Sequence, residues 1–342
     1  MEQKTNIFGK TLAEISEAIK AFEMKPFVAK QITQWLYQKH VISFDLMANI
    51  SIANRQILEN HFFIGRSQPV SVQESQDGTK KYLYQTNSGR FIEAAYIPEK
   101  TRSTLCVSSQ VGCKMGCEFC ATGKMKFHDQ LTAGEIVNQL FSLPEVDKVT
   151  NIVYMGMGEP LDNWEAVKTS LEILTADWGY AMSPRRINVS SVGVIPNMIK
   201  FLDESDCHLA ISMHSPFDEE RITFMPAQKP YPISKIVETL KKYSWQGQRR
   251  VSFEYIVFEG INHSPAHVKA IARLLNGLRC RVNLIRFHAI PDTRFGTTSD
   301  LSINTFKEQL ERKGILTTIR ASRGQDIDAA CGLLSTKKLM GS

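Results

Sequence analysis

Thr104-Leu105-Cys106-Val107, then Val111-Gly112-Cys113-Lys114-Met115-Gly116-Cys117-Glu118-Phe119-Cys120, then Thr132-Ala133-Gly134-Glu135 form the stretch on which the fold turns. A short apolar strand runs into a cysteine-rich loop. Thr132, with Glu135 three residues on, is the capping-box signature of a helix start. Outward from this stretch the chain alternates apolar strands with amphipathic helices. Strands are expected at 104–107, 150–155, 186–191, 208–213, 251–258, 281–287 and 316–321, and helices at 133–143, 164–174, 196–202, 233–243, 265–275 and 305–313. Repeated βα units demand a mostly parallel sheet with right-handed crossovers. Six or seven units favour a TIM-like barrel, complete or partial, with its chemistry at the C-terminal ends of the strands.

The first hundred residues read differently. Apolar residues at helical spacing mark helices at 12–22, 27–37 and 54–61. Strand-like runs follow at 70–72, 81–85 and 90–97, the first two separated by Gln76-Asp77-Gly78. The expected organisation is therefore a helical accessory domain (1–65), a β-rich adaptor (66–100) and the barrel with a C-terminal cysteine segment (101–342).

The 342 residues are 43% hydrophobic and 22% charged, ordinary globular usage that excludes disordered and fibrous classes. No run approaches the ~20 apolar residues of a membrane span, and the first ten residues carry no apolar signal core. A soluble, cytoplasmic protein is expected. The net charge is +6, and residues 270–342 alone hold twelve Lys and Arg against six Asp and Glu, so the whole excess sits there. Such a surplus points to a polyanionic partner. Seven cysteines, four of them between Cys106 and Cys120, are too few and too clustered for a disulfide scaffold.

Three thiolates on one short loop can converge on a soft metal centre. A closed zinc site takes four ligands in separated pairs, so the compact Cys113, Cys117, Cys120 set suggests a 4Fe-4S cluster with one iron open. The alternative is a zinc knuckle completed by a distant ligand such as His128. The second barrel strand ends in Met155-Gly156-Met157-Gly158-Glu159-Pro160, where glycines admit a ligand closely and Glu159 can accept hydrogen bonds from an ammonium group. The third ends in Ser190-Ser191-Val192-Gly193 and the fourth in Ser212-Met213-His214, hydroxyls and an imidazole that suit a ribose or a carboxylate. Cys207 and Cys280 read as core residues.

The Cys-x3-Cys-x2-Cys loop, with aromatic Phe119 before the last cysteine, resembles the signature of the radical SAM superfamily. In that superfamily the open iron binds S-adenosylmethionine, and an electron from the cluster cleaves it to a 5′-deoxyadenosyl radical. Gly158 and Glu159 resemble its Gly-Glu-Pro motif. Further stretches, from Ser109 to Cys113, Ser183 to Arg186, Ser212 to Pro216, Asn283 to Arg286 and Arg323 to Gly332, resemble the radical SAM RNA adenine methyltransferases over nearly the whole chain.

That resemblance implies a partial (βα)6 barrel and two molecules of S-adenosylmethionine per turnover. It implies Cys331 as a methylcysteine intermediate, Cys106 as its transient disulfide partner, and Glu93 as the proton acceptor. Gly158, Glu159, Ser190, Ser212, Met213, His214 and His288 are the implied cofactor contacts. His288 stands where many relatives have asparagine, and the loop 292–298 also departs from the pattern. The implied substrates are 23S rRNA near the peptidyl-transferase region and the adenosine 3′ of the anticodon in tRNAs. The implied electron source is a flavodoxin-type or other low-potential donor, and the expected state is a monomer. Gly158-Glu159-Pro160-Leu161 favours methylation at adenine C2 over the C8 chemistry of the resistance relatives. A non-catalytic, metal-stabilised RNA-binding protein is the alternative from another class. Arg279, Arg281, Arg286, Arg294, Arg320, Arg323, Lys337 and Lys338 are candidate phosphate contacts around Cys331, with Lys30, Lys39 and His40 on the accessory domain.

Overall fold

The computed structural model describes residues 4–336 other than Gln246 and Gln248. Lys337 and Lys338 lie outside the described residues. A ten-stranded sheet follows chain order: β1 (Ser71–Glu74), β2 (Lys80–Gln85), β3 (Phe91–Pro98), β4 (Ser103–Cys106), β5 (Asn151–Tyr154), β6 (Ile187–Ser191), β7 (His208–Ser212), β8 (Val251–Val257), β9 (Cys280–Arg286) and β10 (Thr317–Ile319). From β4 to β10 every pairing is parallel. From β1 to β4 every pairing is antiparallel. The sheet keeps two free edges, so the barrel is open. Central β8 is buried along its whole length, while edge strand β1 is exposed throughout. This contrast follows from position: a strand covered on both faces is apolar, and an edge strand is polar.

The adaptor strands expected as a separate unit pair directly onto the barrel, with Ala95 opposite Cys106. Helices α1 (Leu12–Lys20), α2 (Pro26–Tyr37) and α3 (Ile52–His61) build the N-terminal domain. It seats on the barrel through Gly9, where an added Cβ would lie 2.3 Å from Gly134 Cα. The Arg66 guanidinium strengthens that seat by donating to the carbonyls of His40 and Phe141.

The barrel helices are α4 (Ala133–Phe141), α5 (Trp164–Thr175), α6 (Ile195–Glu204), α7 (Ile233–Leu240), α8 (Pro265–Leu275) and α9 (Asp300–Arg312). In α7 the buried residues are Ile233, Ile236, Val237 and Leu240, the spacing of one helical face. The capping box at Thr132 and Glu135 forms as read. Helix α9 begins five residues earlier than periodicity indicates, because Ser299 caps it by accepting from the Ser302 amide. Among the described residues no helix is long and apolar enough to cross a membrane.

Candidate active site

The cysteine loop leaves the strand ends through Gly112, whose φ is +77° and whose missing Cβ would otherwise meet the Lys126 carbonyl at 2.0 Å. Cys113, Cys117 and Cys120 line one cavity of about 820 Å³ together with Gly158, Glu159, Ser190, Ser212, His214 and Cys331. Residues from four strand ends and the C-terminal segment thus converge, as a βα barrel requires.

Glu159 is buried, and its two oxygens accept from the amides of Leu161 (3.0 Å) and Val192 (2.9 Å). Burial pushes its carboxyl up to about 7. His214, at φ +57°, accepts from the Ile256 amide at Nδ1 (2.9 Å), which leaves the proton on Nε2. Burial, reinforced by nearby Arg221, lowers this imidazole to about 3, so it is a neutral donor. Met213, expected to touch the ligand, is fully buried and absent from the cavity wall. Its carbonyl instead accepts from Arg221 Nε.

The sequence reading missed Arg221. It is fully buried on the short Asp218–Arg221 helix and donates to the carbonyls of Val192, Ser212, Met213 and Tyr231 and to Gln228 Oε1. One side chain therefore locks the ends of β6 and β7. Nothing in local periodicity distinguishes it from a surface arginine. The only signal is its place just after the Ser212-Met213-His214 strand end.

Cys106 is buried at the end of β4 and Cys331 is exposed, yet both line a second cavity of about 830 Å³ with His288, Arg320 and Arg323. The two cavities meet at Met155, Ile285, Arg320 and Cys331. His288 lies on this side, accepting from or donating to Ser322 Oγ at 2.9 Å, and does not line the cysteine-loop cavity. Burial pushes the Cys106 thiol up to about 12, Cys331 adding to the effect and Arg320 opposing it. The Cys331 segment is laced between distant elements. Asp326 accepts from Ser75 Oγ and the Gln76 amide, the Gly324 amide donates to Asp77, and the Ala121 amide donates to the Gly332 carbonyl.

Glu93 is buried on β3 beside Lys81 (3.2 Å) and accepts from the Ser335 amide (2.8 Å). Burial raises its carboxyl above the usual range. It lines neither cavity, but the Ser335 bond ties it to the Cys331 segment.

The basic residues expected around Cys331 are scattered. Arg320 is an inner residue that bonds Met155 Sδ at 2.9 Å and pairs with Glu254 at 3.4 Å. Arg286 pairs with Asp300, and Arg294 with Glu118. Arg279 and Arg281 sit at the start of β9, a strand length from Cys331. Cys280, read as core, is half-buried there, whereas Cys207 is buried. On the accessory domain His40 packs against Phe141 and Tyr180, so its ring is a packing element, while Lys39 lies over Trp35 and Lys30 is exposed.

Residues 107–275 match the Radical SAM superfamily, and residues 5–64 match the ribosomal RNA large subunit methyltransferase N-terminal domain. A solved radical SAM methyltransferase from Sphaerobacter thermophilus aligns with TM-score 0.90 at 38% identity, over 96% of this chain and 99% of that one. The fold and its cysteine loop define a radical SAM enzyme. A probable dual-specificity RNA methyltransferase RlmN from Bacteroides fragilis is 52% identical over 98% of this chain and 97% of its own length. The dual-specificity RNA methyltransferase RlmN of Syntrophus aciditrophicus is 41% identical, with 98% of each covered. The chain belongs to the RlmN family of radical SAM RNA methyltransferases.

That membership implies a 4Fe-4S cluster and S-adenosylmethionine, and the cysteine loop fits both. Burial and the neighbouring sulfurs hold the Cys117 thiol well above its usual range, and burial pushes Cys113 up to about 12. Three crowded thiolates in so dry a setting need a cationic centre to neutralise them.

Proposed function

We propose that the chain methylates carbon 2 of an adenosine in RNA, with 23S rRNA and tRNA as substrates and two molecules of S-adenosylmethionine used per turnover. The observation that carries this reading is that Cys106 and Cys331, 225 positions apart in sequence, line one cavity that opens into the cavity of the cysteine loop.

Glu159, Ser190, Ser212 and His214 hold S-adenosylmethionine, and Gly158 admits it closely. Cys331 gives up its proton, and its sulfur displaces the methyl group of one such molecule. When bound, a cluster on Cys113, Cys117 and Cys120 would supply the electron that opens a second molecule for hydrogen abstraction. The methyl carbon on Cys331, once that hydrogen is taken from it, bonds to the ring; Glu93 accepts the proton that the ring carbon loses, and the one electron left over in the ring would return to the bound cluster. The buried place of Glu93 beside Lys81 suits a carboxylate poised between charge states. Cys106 then releases the product. Its sulfur bonds to that of Cys331 as the sulfur–carbon bond breaks, and the electron pair passes to the released carbon, which takes up a proton. The disulfide that Cys106 leaves with Cys331 takes two electrons from a low-potential donor before the next turnover.

The target base must leave its stack to reach these groups. The N-terminal domain and the open barrel edge form the RNA-facing side, and a low-potential flavodoxin-type protein is the electron donor. The chain acts as a cytoplasmic monomer. Anaerobic methylation of rRNA and tRNA fragments, read at nucleotide resolution, tests the reading. Formation of 2-methyladenosine is expected, and 8-methyladenosine or unmodified RNA would overturn it.

A further inference from the structure

At the N-terminal ends of the strands, opposite the cysteine loop, the chain gathers a second cluster of charge. Arg185 and Arg186 precede β6, Arg249 and Arg250 precede β8, and Arg279 and Arg281 flank the start of β9. A cavity of about 910 Å³ is lined by Arg185, Arg249, Arg250, Arg279 and Arg281, with no carboxylate lining it among the described residues. It adjoins one of about 1290 Å³ with which it shares Arg185, Arg250 and Arg281. Among the described residues, Arg185, Arg186, Arg250, Arg279 and Arg281 have no acidic side chain within ion-pair distance, and Arg249 has only the highly exposed Asp206 at 3.8 Å. His208, the first residue of β7, accepts at Nδ1 from the Arg250 amide (3.1 Å). Burial and then the charges of Arg250, Arg281, Arg185 and Arg249 all disfavour its protonation. Like charges held this close without counter-ions repel one another, a cost that a bound polyanion would remove.

The larger cavity continues into the cavity of the two reactive cysteines, since both are lined by Glu99, Arg102, Thr104, Val153, Arg320 and Ala321. We propose that this arginine basin binds the phosphodiester backbone of the substrate RNA and leads a strand along the open barrel toward Cys106 and Cys331. The proposal rests on the reading of the chain as an RNA methyltransferase. Guanidinium groups suit the ligand, because their planar donors bind phosphate oxygens in pairs. An acidic electron donor fits the basin less well. Strands of four to seven residues, at about 3.3 Å each, separate it from the thiols of the cysteine loop.

The test compares Arg250→Gln/Arg281→Gln with the control Arg273→Gln/Arg312→Gln, whose arginines are exposed on α8 and α9. RNA affinity is measured between 50 and 200 mM salt (about the range over which phosphate neutralisation is resolved), together with KM and kcat for methylation. The basin variant should bind every RNA sequence more weakly, with KM raised and turnover at saturating RNA retained. Its slope of log affinity against log salt should shrink by about 0.7 for each single-strand phosphate that the basin no longer neutralises. The control should match the wild type. An unchanged slope and KM in the basin variant would overturn the proposal, as would a raised KM for the electron donor with RNA affinity intact. A wild-type chain that neither binds nor methylates RNA would overturn the underlying reading as well. That result is distinct from wild-type turnover with indifferent basin variants.

Discussion

At the C-terminal ends of β6 and β7 the guanidinium of Arg221 is fully buried and spends its donors on four carbonyls and one amide oxygen. At the N-terminal end of β8 and in β9, Arg250 and Arg281 line an open cavity and have no carboxylate partner among the described residues. The same residue type is a fixed part of the scaffold at one end and an available charge at the other. Burial decides which, because a desolvated charge must be satisfied by the chain itself whereas a solvated one is free to meet a ligand. The dry end can therefore hold reactive groups in set protonation states, and the wet end can track a polyanion.

The sharpest break to this contrast is Cys331→Ala. RNA methylation should fall below detection while iron and sulfide content stay at wild-type levels, and continued turnover would contradict the role given to Cys331. Next in size is Arg221→Met, which leaves several buried acceptors without donors. A loss of roughly 3 kcal/mol or more is expected in denaturant unfolding, against a near-zero change for Arg250→Gln.

The protonation states offer a third test. The folded value of His214 is depressed to about 3, so the unfolded chain binds a proton below its ordinary 6.5 while the folded chain does not. Stability should therefore be fully present above about pH 6.5 and be lost as pH falls from there toward 3. His214→Asn should flatten part of that fall in the metal-free protein. The smallest effect belongs to Arg294→Gln. Its exposed pair with Glu118 (3.0 Å) contributes at most about 1 kcal/mol, and with its charge already partnered, RNA affinity should move less than in the basin variant.

Much of this fold was legible in local pattern. The alternation of apolar runs and amphipathic helices located the parallel strands and all six barrel helices, and the Thr132 box fixed the start of α4 to the residue. The cavity residues Glu159, Ser190, Ser212 and His214 were found because strand ends are where a βα barrel does chemistry. The joining of the adaptor strands to the barrel sheet was not legible, because turn signals report where strands end, and pairing across Ala95 and Cys106 leaves no trace in either segment. Met213 illustrates the same limit. Its neighbours Ser212 and His214 line the cavity, but Met213, just past the end of β7, is itself fully buried in the core. Which arginines are neutralised depends on pairs such as Arg294 with Glu118, 176 positions apart, and no spacing rule reaches that far. The nearness of Cys106 to Cys331 was implied only by resemblance, and in the fold it depends on the lacing of residues 324–335 to Ser75, Asp77, Glu93 and Ala121.

The pairing of those two thiols is the central claim, and one measurement bears on it directly. Cys106→Ala, loaded with its cluster, is incubated anaerobically with substrate RNA, reductant and S-adenosylmethionine, and the digested product is read by mass spectrometry. The account predicts a Cys331 peptide joined through one carbon to C2 of the target adenine, accumulating because no second sulfur releases it. Freely methylated RNA at the wild-type rate, or an adduct on any other residue, would contradict it.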